Sequence, residues 1–249
     1  MQLLFKESSS YNQEIAVYEA SLLYGKPGRY RFLQFSDGAV QGAVDLENPQ
    51  RIVLEYPRGI IHLMEHNDAS FSDVSVIGHG IGTIPGRYPD KRFVVAEIDA
   101  KVVECSRTFF GCHLPVTIGD GRSILQQQQG AAFDYVILDA FDREGTPGHF
   151  TTAEFFGLAK EKLRPGGALL LNLMGKPGND PYLNAVCTTL RQAFPYLQAF
   201  YLPGEEQGHL RNVIVMGGSS PLGFQGRRMA GFVEFLPGQG YILRDKSKG

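Results

Sequence analysis

Residues 74–99 read VSVIGHGIGTIPGRYPDKRFVVAEID and give the strongest indication of how this chain folds. An apolar run ends in three alternate glycines, Gly78, Gly80 and Gly82, and a second apolar run ends at Glu97. A buried strand, a glycine turn that admits a ligand and a second strand ending in a carboxylate together form a nucleotide-binding crevice. Glu97 follows Gly78 by 19 residues, close to the spacing of ~20 that places a carboxylate at the hydroxyl groups of a ribose.

Two later apolar runs, 116–118 and 133–138, are also followed by a carboxylate, Asp120 and Asp139 respectively. Because the carboxyl ends of parallel strands lie along one edge of a sheet, we expect Glu97, Asp120 and Asp139 to meet over the glycine turn. The alternative for the two aspartates is a helix N-cap, a position that Asp fills well. Three such strand ends in succession favour the crevice and predict an α/β fold with a mostly parallel sheet.

The amino-terminal part of the chain has a different pattern. Short alternating apolar runs such as 15–18 and 30–35 are separated by Gly and Asp turns, which predicts a small antiparallel sheet. We therefore predict two domains, a β-rich lobe over residues 1–66 and a Rossmann-like nucleoside-binding domain over residues 67–249.

The last third of the chain continues the α/β alternation. The sequence predicts a strand at 168–174, a helix near 182–194 and strands near 197–202 and 212–216. The segment between the last two strands, residues 204–209, has the composition of a hairpin loop, so the final pair of strands is predicted to be antiparallel.

Composition narrows the functional classes. The chain has 249 residues, 43% of them hydrophobic, and a net charge of −2, which suits a compact enzyme and excludes a basic nucleic-acid-binding surface. No run approaches the ~18 apolar residues of a membrane helix, and the first residues lack the plan of a signal peptide. The cysteines Cys105, Cys112 and Cys187 lack metal-site spacing, and their odd number suits a reducing compartment. We expect a cytoplasmic protein with no metal, membrane or nucleic-acid partner.

Four motifs in this order resemble those of the spermidine synthases and their relatives, which share the class I adenosylmethionine-dependent methyltransferase fold. VSVIGHGIGT (74–83) resembles the glycine-rich loop of that family, VVAEID (94–99) its ribose-binding strand and IGDGRSIL (118–125) its adenine-contacting segment. The segment at 133–156 is similar to the one that carries Asp-x-x-Asp and a Thr-x-Glu-Phe helix start. The resemblance implies a mostly parallel seven-stranded sheet with an antiparallel last strand, preceded by a small antiparallel β lobe.

Motifs in the amino-terminal part support the same resemblance. Residues 10–15 resemble the family's Ser-x-Tyr-Gln-x-Ile, residues 37–41 its Asp-Gly-x-x-Gln, and Tyr56 with His62 matches the ends of its Tyr-His-Glu-x-x-x-His segment. A lobe of this kind covers the donor in aminopropyltransferases and forms contacts between subunits, which implies a homodimer. The donor-binding residues that the resemblance implies are Gln13, Gln41, Gly78, Gly80, Gly82, Glu97, Asp120 and Gly121.

The implied reaction moves an aminopropyl group from decarboxylated adenosylmethionine, a co-substrate and not a permanently bound cofactor, to a di- or polyamine. In-line displacement requires a deprotonated amine, and an amine with a pKa near that of lysine, ~10.4, arrives protonated. Asp139 is the candidate proton acceptor, Asp142 a candidate for orienting the amine, and Tyr56 a hydrogen-bond donor from the lobe. A loop cap for Asp142 and a packing role for Tyr56 are the alternatives.

Three departures from the family pattern keep other functions open. Ile81 replaces an Asp that holds the amine of the decarboxylated donor, Arg58 replaces the central Glu of the Tyr-His-Glu segment, and Arg143 replaces a Pro. These changes favour methyl or other alkyl transfer from intact adenosylmethionine as the second candidate function. The third is a nucleoside-binding regulatory protein without turnover.

Histidines near these motifs are weaker candidates for chemistry. His79 between two glycines is expected to lie beside the loop, where catalysis is the less favoured role. His62 falls on an apolar helical segment and is expected in the core or an interface, whereas His149 follows the aspartate pair and is a candidate for lining the acceptor pocket.

Overall fold

The computed structural model describes residues 1–36, 38–142, 145–176, 180–204 and 210–246. Asp37 and Arg143, and with them residues 205–209 of the predicted hairpin loop, lie outside these ranges.

The amino-terminal lobe is the predicted small antiparallel sheet. Its four strands pair in chain order: β1 (Gln2–Ser9), β2 (Gln13–Leu23), β3 (Lys26–Phe35) and β4 (Val40–Asp45). Alternation on the central strands places Ile15, Val17 and Leu33 on one buried face. That face packs against Val102 and Cys105 of the following domain. A separate cluster of Leu23, Tyr30 and Phe32 with Val53 and Leu54 gives the lobe a second core of its own.

The second sheet has eight strands in the order β12-β10-β11-β9-β8-β5-β6-β7. Strands β5 to β9 are parallel to one another, β11 runs antiparallel between β9 and β10, and β12 adds antiparallel to β10. Their bounds are β5 (Asp73–Ile77), β6 (Arg92–Glu97), β7 (Val116–Ile118), β8 (Phe133–Leu138), β9 (Leu163–Gly175), β10 (Tyr196–Tyr201), β11 (Arg211–Gly218) and β12 (Val233–Phe235).

This topology confirms the predicted Rossmann-like methyltransferase fold and the antiparallel final pair, with one correction. Beyond the seven predicted strands there is an eighth, β12, of only three residues at the sheet edge. Val233 and Glu234 are exposed, so the segment shows none of the apolar alternation by which a half-buried strand is predicted.

In the described part of the chain, six α-helices flank the sheet: α1 (Glu55–Asn67), α2 (Thr83–Gly86), α3 (Ala100–Phe110), α4 (Gly121–Gln126), α5 (Ala153–Lys162) and α6 (Pro181–Ala193). Four of them begin where a side-chain oxygen accepts a hydrogen bond from a backbone N–H of the first turn. These N-caps are Asp99, Asp120, Thr152 and Asp180. The capping alternative for Asp120 is therefore confirmed.

Helix α1 runs across the predicted domain boundary at residue 66 and packs on the large sheet. Its buried residues Ile60, Leu63 and Met64 share a core with Val74 and Val76 of β5. The division into domains 1–66 and 67–249 stays a prediction. Within the described ranges, no helix is both long and apolar enough to cross a membrane.

Candidate active site

The glycine loop connects β5 to α2 and passes directly over the end of β8. Gly78, Gly80 and Gly82 have φ angles of +97°, +53° and +79°, a region that disfavours side chains with a Cβ. A Cβ on Gly78 would also collide with the carbonyl oxygen of Asp139. The loop therefore requires glycine at position 78 for two reasons. The absence of a side chain there lets the backbone of Asp139 lie against the loop.

A narrow cleft lies where the loop, the lobe and α1 meet. Gln41 from the lobe, Tyr56 from α1, Gly78 and His79 from the loop, and Asp139 from the end of β8 all line it. The remaining lining residues are Val76, Ile81, Thr83, Ile84 and Pro85. The structure thus brings two of the three predicted catalytic residues and part of the predicted donor site into one cleft.

Asp139 is held by two hydrogen-bond donors. The Nδ2 amide of Asn172 donates to Asp139 Oδ1 at 2.8 Å, and the hydroxyl of Tyr56 also bonds to the carboxylate. Burial raises the pKa of Asp139 to about 6, and the bonds from Asn172 and Tyr56 oppose part of that rise. Burial and the neighbouring carboxylate raise the pKa of Tyr56 well above its usual value, so its hydroxyl stays protonated as a donor.

Asn172 was not predicted as a site residue. It lies on β9, is 1% exposed, and accepts a hydrogen bond of 3.1 Å from Nδ2 of Asn212 on β11. The one signal for it is a single polar residue inside the apolar run at 168–174. A buried amide in such a run must find partners, and here it connects the carboxylate of Asp139 to the antiparallel strand beyond it.

Glu97 ends β6 and braces the glycine loop. Its Oε2 accepts the backbone N–H of His79 at 2.9 Å and its Oε1 accepts that of Asp99 at 3.0 Å. Burial raises the pKa of Glu97, while the backbone donors lower it in part. Each carboxylate oxygen has two lone pairs, so further acceptor capacity remains beside the loop.

His79 lies beside the loop with its ring buried. Its Nε2 is 2.9 Å from Oγ of Ser106, which itself donates to the carbonyl of Val103, so Nε2 carries the proton. Burial lowers the pKa of His79 to about 4, with a smaller effect of Arg107. The neutral ring has its acceptor Nδ1 buried without a partner among the described atoms, so the structure gives His79 a packing role.

Asp120 and Gly121 begin α4 at the same edge of the sheet. Asp120 Oδ1 accepts the N–H of Ser123 at 2.8 Å, and its Oδ2 lies 3.3 Å from Nε2 of His149. Burial raises the pKa of Asp120, but the bonds from Ser123 and the nearby His149 outweigh it and the net shift is downward. A Cβ on Gly121 would collide with Ile77, which ends β5.

Besides Gly80, Gly82, Glu97, Asp120 and Gly121, two further predicted residues are absent from the cleft lining. Gln13 is exposed at the start of β2, with a φ of +57°, and does not line the cleft. Asp142 forms a backbone bridge with Gly145, in which its N–H donates to the Gly145 carbonyl at 2.8 Å, and it too is not part of the cleft lining. Gln41, by contrast, lines the cleft, and its carbonyl oxygen is 3.3 Å from where a Cβ on Gly80 would lie.

The two described departures from the family pattern differ in where their side chains lie. Ile81 lines the cleft and packs so closely on Gly42 of β4 that a Cβ there would be 2.6 Å from its Cγ1. Arg58 does not line the cleft, since it bonds to Glu55 Oε1 at 3.1 Å and to the Leu54 carbonyl at 3.3 Å. Tyr56 and Arg58 are two positions apart on α1, and such residues do not share a helix face.

A buried carboxylate that sequence analysis missed ties the lobe to the large domain. Asp99, 4% exposed, caps α3 through Oδ1, and its Oδ2 accepts bonds from Ser9 Oγ and, at 2.9 Å, from Asn12 Nδ2. Ser9 and Asn12 flank the turn between β1 and β2. Across the described ranges, no cluster of three or more His, Cys, Asp or Glu residues is arranged to hold a metal ion.

The sequence and the fold both resemble those of known proteins. Residues 54–208 match the family model of the spermine/spermidine synthase domain. Over 165 residues the chain is 29% identical to a polyamine aminopropyltransferase of Nitrosomonas europaea, an alignment that covers 59% of this chain and 50% of that protein. The chain thus spans about half the length of this relative.

Solved structures share the fold at low sequence identity. A probable spermidine synthase from Corynebacterium glutamicum superposes with a TM-score of 0.71 and 23% identity, covering 88% of this chain and 81% of that one. A spermidine synthase in complex with the transition-state analogue AdoDATO superposes with a TM-score of 0.65 and 17% identity, covering 88% of this chain and 74% of that one.

Proposed function

We propose, from the premise that this chain belongs to the spermine/spermidine synthase family, that it transfers an aminopropyl group from decarboxylated adenosylmethionine to a di- or polyamine. The observation that carries the proposal is the carboxylate of Asp139. It is buried against the glycine loop, bonded to Tyr56 and Asn172, and has a pKa of about 6. A carboxylate in this environment is suited to take a proton from a bound amine.

The proton balance follows from this pKa. At pH 7 a carboxyl group with a pKa one unit lower is ~90% ionised, so Asp139 is ready to accept a proton. Asp139 takes one proton from the bound ammonium group, which frees the lone pair of the amine nitrogen. The nitrogen then attacks the carbon next to the sulfonium, so that a C–N bond forms and the C–S bond breaks. The sulfonium becomes the neutral thioether of methylthioadenosine, and the positive charge passes to the new secondary ammonium group.

The donor site we propose combines the glycine loop with the strand ends beside it. Glu97 offers its remaining lone pairs to the ribose hydroxyls, and Asp120 with Gly121 lies where an adenine would approach the start of α4. Gly78, Gly80 and Gly82 allow the nucleoside to approach the backbone, and Gln41 closes the cleft from the lobe. Gln13 lies exposed at the start of β2, and its donor contact rests on the family resemblance alone.

The acceptor side of the proposal rests on Tyr56 and Asp142. Tyr56 keeps its hydroxyl proton directed at Asp139 and so holds the carboxylate in place beside the reacting amine. Asp142 lies three residues beyond Asp139, and its negative charge would attract the second ammonium group of a diamine. We also propose that the protein acts in the cytoplasm as a homodimer whose contacts include the lobe.

A second candidate is methyl or alkyl transfer from intact adenosylmethionine, and Ile81 is the observation that favours it. This apolar side chain packs on Gly42 within the cleft, where a carboxylate would bind an ammonium group and repel the donor carboxylate. Isoleucine does neither, so the intact donor meets no repulsion at this position.

The test is a product assay with both donors. The chain is incubated with either decarboxylated or intact adenosylmethionine and a panel of linear diamines and spermidine, and the nucleoside products are separated. We expect amine-dependent release of methylthioadenosine from the decarboxylated donor, abolished by Asp139→Asn. Release of adenosylhomocysteine from the intact donor would replace our proposal with the second candidate, and nucleoside binding without any product would indicate a regulatory protein.

A further inference from the structure

A second cavity, with a volume of about 230 Å³, shares no lining residue with the cleft at Asp139. Three arginines line it and come from three separate segments of the chain. Arg58 belongs to α1, Arg87 follows the end of α2, and Arg228 ends a 3-10 turn at residues 226–228. A concave surface has thus collected three guanidinium groups that are distant in sequence.

The protein balances only part of this positive charge. Arg58 pairs with Glu55 at 3.1 Å, whereas Arg87 and Arg228 have no carboxylate partner within the described part of the chain. Glu65 is the one carboxylate among the lining residues. The lining thus carries more positive charge on Arg87 and Arg228 than Glu65 balances, and anion-binding clefts use such an excess.

A buried neutral histidine forms part of the same lining. His62 is 5% exposed, and its Nε2 accepts the backbone N–H of Gln225 at 2.9 Å, so the proton is on Nδ1. Burial lowers the pKa of His62, His66 and Arg228 lower it further, and Glu65 opposes them. The ring thus remains neutral near pH 7 and adds no charge to the lining.

We propose that this cavity binds a small oxyanion of the phosphate class. Guanidinium groups from three segments can donate to different oxygens of one tetrahedral anion, and each such bond is charge-assisted. At about 30 Å³ per water molecule in the liquid, the cavity volume equals that of about seven or eight waters. This is enough for a phosphate group and the atoms attached to it. None of the residues that carry this proposal takes part in the transfer reaction proposed above, so either can fail alone.

The cavity connects two segments that also shape the cleft. α1 carries Tyr56 as well as Arg58 and His62, and Arg87 caps the short helix that follows the glycine loop. An anion held by Arg58 and Arg87 therefore bridges α1 to the end of this loop segment.

Calorimetric titration of the full chain tests the proposal, with inorganic phosphate, inorganic pyrophosphate and glycerol 3-phosphate as probes at low ionic strength. We expect saturable binding of at least one probe. The order of the affinities distinguishes a site for a free inorganic anion from a site for the phosphate group of a monoester. Arg87→Gln and Arg228→Gln should each weaken binding about tenfold or more, because each removes a charge-assisted hydrogen bond. No saturable binding of any probe at millimolar concentration would overturn the proposal.

Two matched variants separate the cavity from general charge and from misfolding. Arg227→Gln removes an exposed arginine that does not line the cavity, and it should leave affinity within twofold. Glu65→Gln removes the lining carboxylate while retaining an acceptor for the hydroxyl of Tyr88, 3.0 Å away, and should tighten binding. Equal weakening by all three arginine variants, loss of affinity in Glu65→Gln, or competition by methylthioadenosine would each contradict a site at this cavity.

Discussion

Asn172 on β9 donates a hydrogen bond of 2.8 Å to Asp139 at the end of β8, and its own oxygen is held by Asn212 on β11. The amide favours the charged form of the carboxylate. Asn172→Leu, similar in shape, removes that donor, so the pKa of Asp139 should rise above about 6. The acidic limb of the kcat–pH profile should then move to higher pH, with activity recovering under alkaline conditions.

The hydrogen bond from Asn212 to Asn172 supplies the control for this experiment. Asn212→Leu leaves the bond to Asp139 in place and removes only its support, so we expect a smaller shift in the same direction. An unchanged acidic limb in Asn172→Leu, with kcat lowered uniformly at every pH, would mean that the amide has a structural role only.

Replacing Asp139 itself should separate chemistry from binding. Asp139→Asn removes proton acceptance while keeping an oxygen for Asn172, so kcat should fall by roughly 10²–10⁴ and affinity for the donor should change little. Steady-state kinetics with calorimetric titration of methylthioadenosine measures both quantities. Parallel losses in the two would show that Asp139 organises the cleft and does not act on the proton.

The same variant should be more stable than the wild type. An acid whose pKa is about 6 in the folded protein and ~3.9 in the unfolded chain is destabilising once ionised. Its protonated form supports folding at low pH, and this support is lost as pH rises through 6. Asp139→Asn should therefore gain up to ~3 kcal/mol in free energy of unfolding at pH 7 and nothing below pH ~4. Urea unfolding at the two pH values tests this, and an equal gain at both would refute the linkage.

Charge at position 81 should determine donor preference. Ile81→Asp places a carboxylate in the cleft, so kcat/KM for decarboxylated over intact adenosylmethionine should rise about tenfold. Because the change also removes contacts with Gly42, Ile81→Asn is the matched control: it loses the same packing without gaining charge. If both variants change the ratio alike, position 81 acts through packing and does not sense the donor tail.

Glu97 should discriminate donors by their ribose. Glu97→Gln removes the charge and one carboxylate oxygen, so affinity for methylthioadenosine should fall about tenfold. The 2′-deoxy analogue gives the decisive comparison. The wild type should bind this analogue more weakly than it binds methylthioadenosine, whereas Glu97→Gln should bind the two ligands with almost equal affinity. If the missing hydroxyl costs both proteins the same affinity, Glu97 only braces the backbone of His79.

Local patterns in the sequence predicted the features that a single segment determines. The glycines at 78, 80 and 82 take positive φ angles, and the strand ends at Glu97 and Asp139 lie beside their loop, because apolar runs and turn residues are set by near neighbours. The contacts of Asn172 join three strands that are far apart in sequence, and no spacing rule describes such a contact. Arg58 points away from the cleft because helix geometry separates it from Tyr56.

Asp99 is a second residue whose contacts the local sequence did not predict. The sequence places it only at the end of a strand motif, whereas in the structure its carboxylate accepts hydrogen bonds from Ser9 and Asn12 of the lobe. Once these bonds exist, releasing the lobe leaves a buried carboxylate with only part of its hydrogen bonds and also uncovers the apolar face of Ile15 and Val17. Opening of the lobe away from the large domain therefore has a free-energy cost of its own. The Asp99 contacts and the shared apolar face therefore both favour a lobe that stays against the large domain at the entrance of the cleft.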